Sequence, residues 1–142
     1  MNLSRLSPIR FLFFGTPAFA VPTLQALHET GAPLLCVTNP DKPAGRKKVL
    51  TASPVKQATL QNAIRILQPQ RLIDQFVEDV RSFQPDIAVL AAYGKIIPPE
   101  ILTVPKNGFV NIHPSLLPKY RGASPVVAAI LAGDKETGVT IM

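Results

Sequence analysis

Short apolar runs alternate with amphipathic stretches along the whole chain. Ile9-Arg10-Phe11-Leu12-Phe13-Phe14 is nearly all apolar, rich in β-formers and closed by Gly15, the pattern of a strand covered on both faces. Thr16 and Pro17 read as N-cap and first helical position and Gly31 as the stop, so a helix is expected from about residue 17 to 30. Leu34 to Thr38 repeats the buried-strand pattern. Asn39 to Lys48 is dense in proline and charge and is expected to form a long surface loop without a regular element.

Ser53-Pro54 repeats the cap-then-proline signal for a short helix to about Gln61, and Ala63 to Leu67 makes a weaker strand. Ile73, Phe76, Val77, Val80 and Phe83 recur at helical spacing and define an amphipathic helix within about residues 71 to 83. Asp86 to Ala92 reads as a strand, Pro98 to Leu102 as a turn or two of helix, and Gly108 to His113 as a strand that Pro114 ends. Ser124 and Pro125 open a last helix that stops at Gly133, and Gly138 to Met142 begins one more strand. Strands alternating with helices predict an α/β fold: a doubly wound, mostly parallel, Rossmann-like sheet with right-handed crossovers.

The chain has 142 residues, 46% of them apolar, enough for one domain with a genuine core. The net charge of +6 suits a phosphate-rich partner, although a basic surface also serves solubility. Cys36, the only cysteine, has no partner for a disulfide or a cysteine-ligated zinc site and reads as a buried thiol; no metal is expected. No apolar stretch reaches the ~20 residues that cross a bilayer. The apolar segment at Phe11 to Phe14 is too short for a signal-peptide core, so no membrane partner and a cytoplasmic setting are expected.

In open parallel sheets ligands bind beyond the carboxyl ends of the strands. Asn111 and His113 stand two apart at such an end, so the strand period points both to one face and Ile112 to the other. An amide there can donate to an oxygen gaining charge in a tetrahedral intermediate, and a neutral imidazole can accept a proton from an attacking amine. Together they would form an acyl-transfer half-site. Spacing alone equally allows an exposed or core-satisfied histidine and an asparagine that merely turns the chain.

Asn111-Ile112-His113-Pro114-Ser115-Leu116-Leu117-Pro118-Lys119-Tyr120-Arg121-Gly122 resembles the signature of the folate-dependent formyltransferases, which move a formyl group from 10-formyltetrahydrofolate to an amine. The resemblance implies that Asn111 polarises the formyl carbonyl, that His113 assists proton transfer, and that Ser115, Leu116, Leu117 and Pro118 shape the wall of the site. Leu90-Ala91-Ala92-Tyr93-Gly94-Lys95-Ile96-Ile97-Pro98 is also similar to that family, whose loop after this strand holds the pteridine ring through backbone groups and apolar side chains. Tyr93, Gly94, Ile96 and Ile97 are the implied contacts. Without the family, Ile96 and Ile97 are ordinary apolar residues entering a helix.

Phe14-Gly15-Thr16-Pro17 together with Pro40-Asp41-Lys42-Pro43-Ala44-Gly45-Arg46 resembles the branch of the family that formylates methionyl-tRNA for translation initiation. That branch carries an inserted basic loop that reaches the acceptor end of the initiator tRNA. Arg46, Lys47 and Lys48 are the implied contacts, able to neutralise phosphates; a run of three basic residues is otherwise a solvated loop. The family generally has a glycine between the arginine and the lysine pair, whereas here Arg46 runs directly into Lys47. The turn at Gly15-Thr16-Pro17 is open to two readings, an anion site at a helix N-terminus or a plain cap.

The resemblance also implies a third functional residue, an aspartate on the loop after the strand that starts at Gly138, which would lie past Met142, and a C-terminal OB-like domain, expected to be absent from these 142 residues. Loss of a general acid or base costs ~10²–10⁴ in rate, so these 142 residues alone are expected to be impaired. Asp134 follows the helix stop Gly133 and is expected to be a solvated carboxylate, not a substitute. Formylation of another amine, such as a sugar nucleotide or a glycinamide ribonucleotide, and a noncatalytic folate- or RNA-binding role remain alternatives.

Overall fold

β1 (Phe11–Gly15) lies inside the sheet with Leu12, Phe13 and Phe14 wholly buried. It is flanked by β2 (Leu34–Val37) and β6 (Ile87–Ala91), parallel to both. In the computed structural model, which describes residues 8–142, the sheet has six strands in the order β5-β2-β1-β6-β7-β8. The remaining sheet strands are β5 (Arg65–Leu67), β7 (Phe109–His113) and β8 (Thr140–Ile141). From β1 the chain winds outward through β2 to β5, then returns to β6 on the other flank of β1. The strand order thus reverses between β1 and β6, the position where doubly wound folds open a crevice.

Alternation along the strands divides the core into two layers. Leu12, Phe14, Leu35, Val37 and Ala88 face α3 (Gln75–Phe83) and α4 (Pro99–Leu102), meeting Phe76, Val77, Val80, Phe83 and Ile101. Phe13, Cys36, Val89 and Ala91 face α1 (Val21–Glu29) and α2 (Pro54–Gln61), meeting Leu24, Val55 and Ala58. Cys36 is the buried thiol its surroundings predict: burial pushes it up to about 12, against a hydrogen bond from Thr59 Oγ1 at 3.4 Å.

Ser53 caps α2, its Oγ accepting from Lys56 N at 3.1 Å, as the serine-proline signal predicts. Thr16 does not cap α1. A 3-10 turn at Ala18–Ala20 precedes the helix, which starts at Val21, and the Thr16 side chain is drawn inward by groups from other loops. α3 begins at Gln75, so Ile73 lies before the helix and is 38% exposed.

Residues 39–48 contain regular structure where a loop is expected. β3 (Lys42–Ala44) and β4 (Val49–Thr51) pair antiparallel, Lys42 opposite Thr51 and Pro43 opposite Leu50, about a turn at Gly45 to Lys48. Proline is tolerated because an isolated two-stranded ribbon leaves one edge of each strand unpaired. With no glycine after Arg46, Lys48 takes φ 49° to close the turn. The base is held from outside the ribbon: Asp41 accepts from Lys56 Nζ at 2.7 Å and Gln68 Nε2 at 2.9 Å.

β8 runs antiparallel to β7, with Ile112 opposite Ile141 and His113 opposite Thr140. The sheet is therefore mostly, not wholly, parallel. α5 (Pro125–Leu131) is followed by its cap Ala132 and by Gly133 at φ 70°, and it leaves Val127, Ile130 and Leu131 exposed.

The entry to β1 is clamped by polar contacts that the apolar pattern does not encode. Asp86 accepts from Lys106 Nζ at 2.7 Å and from Arg10 N at 2.8 Å, and Arg10 Nε donates to Phe83 O at 2.6 Å. Lys106 and then the Arg10 backbone hold the Asp86 carboxyl below the usual carboxylate range. A carboxyl so lowered stabilises the fold at pH above its ordinary value, and that contribution is lost as pH falls through the lowered one. Asp86→Asn is therefore expected to flatten the acid limb of a melting-temperature profile below about pH 4; an unchanged limb would assign acid sensitivity elsewhere.

Candidate active site

Phe109 opens β7 by packing its ring 5.8 Å from that of Phe14. With a side-chain period of two, Asn111 and His113 emerge on that same face, while Ile112 packs into the opposite layer. Pairing of Leu90 with Asn111 sets them beside the exit of β6. Both line a cleft of ≈ 610 Å³ together with Tyr93, Gly94, Lys95 and Ile96 from the loop after β6, and Pro17 from the loop after β1. The pair therefore faces one way and into a cavity. Asn111, His113 and Gly122 also line an adjoining hollow of ≈ 400 Å³ with Leu117, Arg121 and Met142.

The wall after β6 is a strained loop. Ala92 and Gly94 take φ 48° and 80° on either side of Tyr93, a conformation costly for alanine and easy for glycine. Tyr93 is 2% exposed, its ring edge-on to Phe14 at 5.2 Å. Among the described residues its hydroxyl has no hydrogen-bond partner, and burial pushes it up to about 12. The Tyr93 carbonyl accepts from Asn39 Nδ2 at 2.7 Å and Thr16 Oγ1 at 3.4 Å, and Asn39 Nδ2 also donates to Thr16 Oγ1 at 3.0 Å. Thr16 is thus a strut joining the loops after β1, β2 and β6. Lys95 Nζ donates to Pro69 O at 2.9 Å and Gln70 O at 3.0 Å.

Of the other residues singled out from sequence, Ile96 is 94% exposed beside the cleft. Ile97 is in the core, packed with Ile101 and Tyr93. Ser115 is fully buried and donates to Lys119 O at 2.7 Å, so it braces the turn from inside. Leu117 lines the adjoining hollow, whereas Leu116 and Pro118 line a separate one with Tyr120 and Asp134. Arg46, Lys47 and Lys48 stand exposed on the ribbon turn, outside the cleft lining. Arg121 and Gly122 close the signature string, yet string position did not mark them as lining; three-dimensional proximity does.

The turn after β7 is tied at several points. Thr140 Oγ1 donates to Ser115 O at 2.7 Å and accepts from Leu117 N at 3.1 Å. Tyr120 OH donates to Asp134 Oδ2 at 2.7 Å, a contact that lowers the Asp134 carboxyl and raises the Tyr120 phenol. Asp134 is thus not the solvated carboxylate that a helix-stop turn suggests; its side chain is 22% exposed. His113 Nε2 lies 3.0 Å from the Tyr120 carbonyl oxygen. A carbonyl can only accept, so this contact is a hydrogen bond when Nε2 carries the hydrogen, the tautomer that leaves the ring's lone pair at Nδ1.

The family model described as formyl transferase matches residues 9–142. The chain belongs to the formyl transferase family. A methionyl-tRNA formyltransferase of Caldanaerobacter subterraneus subsp. tengcongensis is 49% identical over 137 residues, 94% of this chain and 44% of that relative. One from Thermus thermophilus is 51% identical over 135 residues, with the same shares. The chain spans less than half the length of these relatives. A phosphoribosylglycinamide formyltransferase from Bacillus halodurans has the same fold: TM-score 0.69, 26% identity, 93% of this chain and 70% of that one covered.

Membership of the formyl transferase family gives the α/β sheet a known setting, and the packing explains how it is held. Phe14 is fully buried and its ring meets Tyr93, Phe109 and, at 6.5 Å, Phe76. Phe14→Ala is expected to cost about 3–5 kcal/mol of folding stability in denaturant titration. Because its ring lies under both Tyr93 and Phe109, environment-sensitive NMR shifts of Asn111 and His113 are expected to move as well; loss of stability with those shifts unmoved would refute that link.

Proposed function

We propose that this chain carries the donor-binding and proton-transfer part of an enzyme that moves a formyl group from 10-formyltetrahydrofolate to the amino group of methionine on initiator tRNA. The observation that carries the reading is the Asn111 and His113 pair, facing one way where two hollows meet. The names of relatives about 50% identical to it support methionyl-tRNA as the formyl acceptor, and a translation enzyme of this kind would work in the cytoplasm.

The cleft fits a flat heterocyclic donor. Its ≈ 610 Å³ is within the range of small-molecule sites, ~300–1,000 Å³, and Ile96 and Pro17 give its lining apolar side chains. The donor supplies an activated formyl carbon. In this reading Asn111 donates its amide N–H to the carbonyl oxygen as charge grows there. His113, with its hydrogen on Nε2, offers Nδ1 to the proton that the attacking amine must lose. The adjoining hollow, with Arg121 at its edge, is the side from which the amine approaches. On the ribbon turn, Arg46, Lys47 and Lys48 are exposed cations available to the phosphates of the acceptor strand.

His113→Ala is expected to lower kcat by about 10²–10⁴ with folate binding nearly unchanged; a variant that keeps most of its turnover refutes the assignment. Replacing Arg46, Lys47 and Lys48 together by alanine is expected to raise KM for tRNA on the order of ten-fold and to flatten its salt dependence. Unchanged tRNA kinetics, with a sugar nucleotide or glycinamide ribonucleotide accepted instead, would favour the other amines, towards which the fold likeness to the Bacillus halodurans enzyme points. The aspartate implied after β8 lies past residue 142, and a chain carrying it is expected to turn over faster than residues 1–142 by about 10²–10⁴.

A further inference from the structure

The contact between His113 and the Tyr120 carbonyl raises the question of what keeps that carbonyl in place. Tyr120 sits at φ 56°, a region that bulky residues rarely adopt unless surrounding contacts impose it. Its neighbours supply those contacts. The Lys119 carbonyl accepts from the fully buried Ser115 hydroxyl at 2.7 Å, and Lys119 N donates to Leu116 O at 3.1 Å. The ring itself is tied at its far end, its hydroxyl donating to Asp134 at 2.7 Å.

Asp134 in turn is delivered by the end of α5. Gly133 turns the chain at φ 70°, and Asp134 N donates to Ala129 O at 3.1 Å, a helix-stop geometry that aims the next residue rather than leaving it loose. A line of contacts therefore runs from the α5 terminus through Asp134 and the Tyr120 ring to the Tyr120 carbonyl and His113 Nε2. Lys119 Nζ, 3.4 Å from the same carboxylate and largely exposed, adds little to it.

We propose that Tyr120, latched by its hydroxyl to Asp134, is a positioning residue that holds His113 in the Nε2–H tautomer with Nδ1 free to accept the proton of the incoming amine. The latch rests on the reading of His113 as the proton-transfer group. It touches no substrate and acts only through the imidazole. An imidazolium donates to the Tyr120 carbonyl as a neutral ring does, so the contact persists when the proton is taken up. The ring need not rotate between steps.

The tautomer is directly observable in long-range proton–nitrogen NMR spectra of the ¹⁵N-labelled 142-residue chain, whose two histidines, His28 and His113, give two sets of signals. Exposed His28 on α1 is the internal control. The wild-type chain is expected to show His113 as Nε2–H; finding Nδ1–H overturns the proposal without any variant. Tyr120→Phe and Asp134→Ala are each expected to lower the Nε2–H to Nδ1–H ratio of His113 about five-fold, the weight of one ordinary hydrogen bond, with His28 unchanged. Asp134→Asn, whose amide oxygen still accepts from the hydroxyl, is expected to retain the wild-type ratio. A lowered melting temperature in Tyr120→Phe and Asp134→Ala with the ratio intact would reduce the latch to a plain structural contact and refute the proposal, as would Asp134→Asn behaving like Asp134→Ala. Formyl transfer is measured separately, on a chain that continues through the aspartate implied after β8: the expected tautomers with no transfer refute the catalytic reading, whereas transfer with the wrong tautomer refutes the latch.

Discussion

One aromatic ring underlies the site. Phe14, fully buried on β1, packs against Tyr93 from the loop after β6 and Phe109 at the start of β7. Burying such a ring removes roughly 150–250 Å² from water, which drives the three segments together without regard to direction. Direction comes from the backbone: once Phe109 is turned toward Phe14, the two-residue period commits Asn111 and His113 to that same face. The shared direction of the Asn111 and His113 side chains is thus a by-product of core packing.

Polar struts then hold the loops that the core cannot reach. Asn39 and Thr16 tie the loops after β1 and β2 to the Tyr93 carbonyl, while Ser115, Thr140, Tyr120 and Asp134 tie the turn after β7. In both places the group that is held is a main-chain carbonyl, and in both a non-glycine residue sits in the left-handed region, Ala92 in one and Tyr120 in the other. Left-handed backbone at a non-glycine residue costs about 1–3 kcal/mol, so the struts offset a local penalty and convert it into a fixed direction. Carbonyls so held can set the tautomer of a neighbouring imidazole, which freely rotating side chains cannot.

The basic ribbon is built on the other principle. β3 and β4 stand outside the main sheet, and the exposed Val49 and Leu50 bring no core burial to hold them. Asp41 is instead the root, gripped by Lys56 and Gln68, both of which keep its carboxyl below the usual range. A charged turn on a narrow, rooted ribbon is well suited to meeting a large anionic partner, since its cations remain solvated until the partner displaces their counterions.

By itself the sequence determined the order and type of the elements of the main sheet, the one-sidedness of Asn111 and His113, the buried thiol at Cys36 and the family, because each follows from local periodicity or from a contiguous string. Tertiary structure alone decided what depends on partners distant along the chain. Thr16 looks like a cap in isolation but is claimed by Asn39 and Tyr93, and Ile97 resembles a cleft residue beside Ile96 yet packs on Ile101. The proline-rich segment forms a ribbon because its two strands satisfy each other, and Asp134 is ordered by a hydroxyl 14 residues away. Hydrogen bonds between loops, and the competition for a buried position between adjacent apolar residues, are settled only when the chain is folded, and no window of neighbouring residues carries that information.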